Sequence, residues 1–181
     1  MRDEPPNRSL ELDCDIRVLG GDWSAAVAHA EGLAERAVRA ALAGVPGDRL
    51  PGDAIVVSVV LADDATVRTL NRDYRDKDRP TNVLSFAEHD SDMPPIPHAP
   101  AYLGELVLAL ETVCAEAEAQ GKAPADHLAH LTVHGVLHLL DYDHERGAAE
   151  AAEMEAREVA ILAGLGVADP YADDRAAAGD A

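Results

Sequence analysis

The run from His134 to His144 constrains this chain more than any other segment. Its histidines, His134, His138 and His144, stand at i, i+4 and i+10. In a helix, residues i and i+4 lie one turn apart on one face. The third lies beyond the expected helix end, so the chain must fold back to bring it near the pair. Three imidazoles converging in this way make an open metal site. Catalytic zinc takes three protein ligands and keeps a fourth position for water. The segment therefore asks for a helix, a stop and a return turn, in that order.

The flanking residues supply the helix. Pro124 suits a first turn, where its missing N–H is not needed. Residues 126–140 contain no proline and only Gly135 as a weak point. At about 100° per residue, His127, His130, His134 and His138 fall in one stripe. Leu128, Leu131, Val136 and Leu139 lie opposite and supply apolar packing surface. The plain alternative is a set of buried, hydrogen-bonded core histidines, but a stripe of four is improbable by chance in a chain with 8. His130 and His127 lie one and two turns before the pair, too far to join the same ion. They are read as packed or substrate-side, with His130 a candidate to support a ligand from behind.

The spacing equals that of the metzincin peptidases, H-E-x-x-H-x-x-G-x-x-H. Gly135 stands where those enzymes carry their glutamate base, and Asp141 stands where they carry glycine. The metal geometry is kept while the peptidase proton acceptor is missing. A zinc peptidase thus remains an alternative that lacks its base.

At 181 residues the chain is long enough for one domain with a substantial core. Residues 1–8 are expected to be disordered, 9–166 to form the domain, and 167–181 to be a disordered acidic tail. Cys14 and Cys114 have no framework spacing, so a reducing cytoplasm is expected rather than a disulfide scaffold. The N-terminus has no apolar stretch resembling a signal peptide. No segment approaches the roughly 18 apolar residues of a membrane span. A net charge of −19 argues against nucleic acid as a partner if charge is taken as a whole. However, Arg68, Arg72, Arg75, Lys77 and Arg79 cluster in one stretch, with Asp73, Asp76 and Asp78 between them. That stretch is either a local basic surface or a solvated, self-balanced face.

Along the chain, residues 9–18 alternate as a half-buried strand. A helix is expected from an N-cap at Ser24 to about residue 43. The β-branched run 54–61 reads as a central strand. Asp63 or Asp64 caps a short helix to about residue 74, and 75–80 form a charged loop. Strands follow at 81–86 and 102–110, separated by a proline-containing loop at 87–101, long enough for a mobile flap. His89 and His98 in that loop read as exposed. Helices are expected at 111–120, 126–140 and 146–163. The total is an α+β domain: a mixed sheet of about four strands with about five helices, in which the histidine helix is followed by a turn carrying the third ligand.

Two segments together resemble the YbeY family of bacterial metal-dependent endoribonucleases. His134–His144 is similar to the signature H-G-x-L-H-L-x-G-Y-D-H, and Leu70–Phe86 is similar to L-N-x-x-[YF]-R-x-K-D-x-[PA]-T-[DN]-V-L-S-F. Leu103-Gly104-Glu105 resembles a shorter L-G-D element. The resemblance implies a single-strand-specific enzyme of rRNA maturation, notably near the 3′ end of small-subunit rRNA, and of ribosome quality control. It implies one Zn²⁺ on His134, His138 and His144, and Arg75 as the arginine needed for activity. It also implies contacts with ribosomal proteins or a ribosome-assembly GTPase; no DNA or membrane partner is expected. Arg72, Lys77 and Arg79 are candidates to track the RNA backbone. Glu105, Asp141 and Asp143 are candidates for the general base or for support behind the metal, and sequence does not choose among them. Asp141 stands at the signature glycine, where a left-handed turn is expected; aspartate tolerates that conformation better than most residues. A further alternative is a non-catalytic ribosome-assembly factor with a structural zinc.

Overall fold

Leu12, Cys14 and Ile16 alternate with polar residues and form β1 (Glu11–Leu19), half-buried on one face only. It is an edge strand, paired in parallel with β2 (Ala54–Ala62). β2 is the β-branched run and is buried along nearly its whole length, as expected of a strand covered on both faces. β4 (Ala101–Ala109) continues the sheet parallel to β2, and β3 (Val83–Ala87) closes the far edge antiparallel to β4. The order is therefore β1-β2-β4-β3. This computed structural model describes residues 10–88, 99–173 and 175. The suspected flap with His89 and His98 falls mostly outside the described residues.

Parallel strands need crossovers. α1 (Trp23–Ala26) and α2 (Ala30–Ala43) carry the chain from β1 to β2, and α3 (Asp64–Arg75) leads from β2 toward β3. α4 (Leu110–Ala119), α5 (Pro124–Leu139) and α6 (Ala148–Gly164) follow β4. The result is the expected α+β domain with a four-stranded mixed sheet.

The helix count among the described residues is six rather than five, because the segment expected as one helix from Ser24 is broken. Asp22, not Ser24, caps α1, its Oδ1 accepting the Ala25 N–H at 3.1 Å. The chain then turns extended at Val27 and left-handed at His29 before α2 begins. Nothing in the alanine-rich composition marks this break. It coincides with a tertiary anchor: the buried Trp23 donates its Nε1–H to Ala62 O at the end of β2. β3 also starts later than the expected residue 81; just before it, the Asn82 side chain takes the Val83 N–H at 2.7 Å.

The two faces of the sheet are covered unequally. Ile55, Val57, Val59 and Leu61 of β2 and Leu106 and Leu108 of β4 pack with α2, α5 and α6 into the main core. Val60, Ala62, Val107 and Ala109 face the other way and meet Val67 of α3, with Leu84, in a small cluster. α5 is buried nearly all round, with Leu128, Val133, Val136 and Leu137 fully inside, as a helix apolar on several faces must be. Gly135 lets it sit close to the sheet: a Cβ there would meet Leu106 Cδ2 at 2.7 Å.

Candidate metal centre

α5 ends in a Schellman motif. The Tyr142 N–H returns to Leu137 O and the Asp141 N–H to His138 O, both at 3.0 Å. Asp141 holds the left-handed position, φ 64°, which this motif ordinarily gives to glycine. Its carboxylate is tied to Arg146 at 2.6 Å. Tyr142 is buried under Arg49 and Arg157, 4.8 and 5.7 Å from its ring centre. The turn thus reverses the chain around a buried ring and brings His144 back toward the helix.

The three histidines meet as the spacing predicts. His134 Nε2 and His138 Nε2 are 3.0 Å apart. The His144 ring centre is 5.3 Å from that of His134 and 5.1 Å from that of His138. One ligand nitrogen from each lies within 4.8 Å of the others. His134 and His138 are half-buried and His144 is exposed, so the cluster is open on one side. Burial, and then the neighbouring His134 and His144, push the His138 pKa down to about 4. It is neutral at pH 7, the form that binds metal.

Behind His134 stands a residue that sequence reasoning missed. Glu158 of α6 is fully buried, and its Oε1 lies 2.6 Å from His134 Nδ1. Burial alone would raise its pKa, but hydrogen bonds from His130, His134 and Tyr171 hold it at about 2. An ionised Glu158 fixes the hydrogen of His134 on Nδ1, so Nε2 presents a bare lone pair to the cluster. Two such nitrogens 3.0 Å apart are both satisfied by one shared cation, and three imidazoles are a donor set that suits zinc. A carboxylate behind a ligating histidine is the usual way to orient the ring. His130 Nε2 lies 3.5 Å from the other Glu158 oxygen, Oε2, away from the His134 Nδ1 contact. The Tyr171 hydroxyl also donates to Glu158 Oε2. Residues 167–173, counted with the tail by sequence, therefore contribute a contact to this centre.

Glu158 had a legible signal. It lies at helical spacing from Met154, Ile161 and Leu162, all buried, so a charge sits inside the apolar stripe of α6. A charged residue buried in this way needs a partner.

A cavity of about 370 Å³ opens beside the trio, lined by His134, His138 and His144 together with Arg75, Ser85 and Asp143. Arg75 arrives there from the last turn of α3. That turn is held by the buried Asn71, whose amide donates to Arg79 O at 2.8 Å. Arg75 is exposed and makes no ion pair among the described residues, unlike its neighbours. Arg68 grips Asp78 through two bonds of 2.8 and 2.9 Å, and Arg72 pairs with Asp73 at 2.9 Å. Arg72, Lys77 and Arg79 are exposed and do not line the cavity.

The three candidate carboxylates separate. Asp143 lines the cavity, with Oδ2 3.1 Å from Arg146 Nε and Oδ1 accepting the Glu145 N–H. Asp141 pairs with the same Arg146 and does not line the cavity. Glu105 is on the wrong face for a role behind the metal. Strand alternation puts it with Val107 on the α3 side, and Arg17 takes its carboxylate at 2.7 Å. His127 is buried and bonded to Glu116 at 2.7 Å, away from the trio, and burial lowers its pKa. A second cavity of about 740 Å³ adjoins His134 and His144 on the side of Glu116, His130, Glu158 and Tyr171.

Fold and site define a class: a small α+β domain whose three convergent histidines can hold one metal ion at the edge of an open, arginine-lined cavity. The comparisons with known proteins make this specific. The family described as Endoribonuclease YbeY matches residues 25–166, and the chain belongs to that family. It is 55% identical over 166 residues to "Endoribonuclease YbeY" of Paramagnetospirillum magneticum, covering 91% of this chain and 98% of the relative. It is 54% identical over 159 residues to the protein of the same name from Rhodospirillum rubrum, covering 86% and 79%. Its fold is like the solution structure of TM1509 from Thermotoga maritima, with TM-score 0.55, 22% identity, and 93% and 96% of the two chains covered.

Proposed function

We propose that this protein is a zinc-dependent, single-strand-specific endoribonuclease. It matures rRNA, notably the 3′ end of small-subunit rRNA, and takes part in ribosome quality control in the cytoplasm. The observation that carries the reading is the meeting of Arg75 with His134, His138 and His144 in one cavity, in a chain of the YbeY family. No helix among the described residues is long and apolar enough to cross a membrane.

His134, His138 and His144 would hold the ion, which when bound supplies Lewis-acid polarisation of phosphate or an activated water. The chain's own residues do the rest. Glu158 keeps His134 in the ligating tautomer. Arg75 clamps a phosphate with its planar donor fork and opposes the charge that develops there. Asp143 takes the proton of the attacking water or ribose 2′-hydroxyl, being the one of the three candidate carboxylates that lines the cavity. Ribosomal proteins or a ribosome-assembly GTPase would present the RNA.

A peptidase is disfavoured at Gly135. The chain has no carboxylate at this position, and a Cβ there would already crowd Leu106 Cδ2 at 2.7 Å. The test is cleavage of a single-stranded RNA against its matched duplex, with and without chelation, by wild type and Asp143→Asn. The reading expects cleavage of the single strand alone, lost on chelation and strongly slowed in Asp143→Asn. Equal cleavage of both forms, or cleavage indifferent to chelator, would contradict it.

A further inference from the structure

We propose that Tyr74, seated against Phe86, is a stacking platform for one unpaired base of the RNA, and that this platform confers the preference for single strands. The proposal rests on the endoribonuclease reading and names a subsite for its substrate.

Aromatic side chains make up only 3% of this chain, so where they are placed carries information. Trp23 and Tyr142 are buried and Tyr171 bonds Glu158. Tyr74 is 71% exposed, the most exposed large apolar side chain among the described residues. It is nonetheless braced, its ring edge-on to Phe86 with centres 5.4 Å apart and planes at 66°. Phe86 itself packs into the small cluster under α3. The backbone beneath is held too: Asp63 caps the start of α3 and Asn71 ties its end to Arg79 O. A rigid, exposed ring of this kind loses little entropy on stacking.

Its position fits the substrate path. The residues that follow Tyr74 and Phe86 in sequence, Arg75 and Ala87, both line the metal cavity. Tyr74 and Phe86 are not themselves in that lining and Phe86 faces α3, but Tyr74 is one peptide link from Arg75, so a nucleotide whose base lay on Tyr74 would have its backbone within reach of Arg75.

The charge distribution calls for such a platform. The chain carries −19 overall, and Arg68 and Arg72 are already paired with Asp78 and Asp73. Phosphate contacts alone give weak, salt-sensitive binding here. Base–aromatic stacking is tolerant of sequence and adds affinity that does not depend on charge. It also discriminates, because a duplex keeps its base faces inside its own stack while a single strand offers them.

The experiment uses full-length protein and a short 2′-O-methyl RNA whose integrity is checked on a gel. In Tyr74→Trp the new indole is exposed, whereas Trp23 is buried and gives a constant background. The RNA should quench the new fluorescence, while an abasic strand of the same charge and a matched duplex should not. In parallel, Tyr74→Ala should bind the single strand roughly ten-fold more weakly, with zinc content unchanged and the duplex unaffected; Tyr74→Phe should restore binding. Quenching by the abasic strand equal to that by RNA, or Tyr74→Ala binding as wild type does, would overturn the proposal. Failure of the enzyme reading would look different: no cleavage of a natural single strand by zinc-loaded wild type, whatever the quenching shows.

Discussion

Under α5 the sheet is covered by the main core; under α3 it is covered by a small cluster only. The α5 side holds the main core, and its imidazoles are braced from behind by a fully buried carboxylate. The α3 side has a small apolar cluster and, above it, exposed charge and an exposed tyrosine. The two sides meet at β3, whose Ser85 faces α5 while Phe86 faces α3. Ligands must be held within tenths of an ångström, which needs rigid packing. Groups that meet a polymer must be reachable. This fold divides the two demands between opposite faces and lets them touch at one cavity.

The largest effect is expected at the three histidines. His138→Ala should lose the metal and all measurable cleavage, yet keep a cooperative unfolding transition, because His138 is only half-buried and outside the apolar core. Loss of folding together with metal would instead support a structural zinc. Arg75→Ala works from the other face. We expect kcat/KM for a single-stranded RNA to fall ~10²–10³-fold with metal content unchanged. Arg75→Lys should not restore it, since lysine lacks the planar fork.

Glu158→Gln sharpens the contrast. It should weaken zinc binding by ~10–100-fold, read by competition with a chromophoric chelator, and leave RNA binding to the metal-free protein as it was. Stability against pH isolates the same face. His138 has a folded pKa of about 4 against an unfolded value near 6.5. The unfolded chain therefore binds the proton first, and this contribution, complete above pH ~6.5, is lost as pH falls toward ~4. Urea midpoints of metal-free protein should drop over that window, and less steeply in His138→Asn. The smallest effect is expected at the turn. Asp141→Gly relieves a left-handed residue but loses the exposed Arg146 pair, so the two changes should largely offset and the urea midpoint barely move, with cleavage unaltered.

Sequence reading reached the α5 side well, because helical spacing and metal chemistry both act over a few residues. The histidine helix, its Pro124 start and the left-handed Asp141 follow from local rules. It failed where a tertiary contact decides. The break between α1 and α2 accompanies a tryptophan pinned to a strand end. Glu158 belongs to the site only because α6 crosses α5, although its place in an apolar stripe gave a hint. Glu105, Asp141 and Asp143 looked equivalent by sequence. Strand alternation turned the first away, and of the other two only Asp143 lines the cavity. Arg75 was reachable only through family resemblance, since its approach to the histidines depends on how α3 lies across β3.

The most direct measurement is a zinc titration of metal-stripped protein, with bound metal and single-strand cleavage read on the same samples. The account predicts that cleavage rises with occupancy and saturates at one ion per chain, and that His138→Ala shows neither. Cleavage that is full before metal is added, or absent at one ion per chain with an accessible single strand, would contradict it.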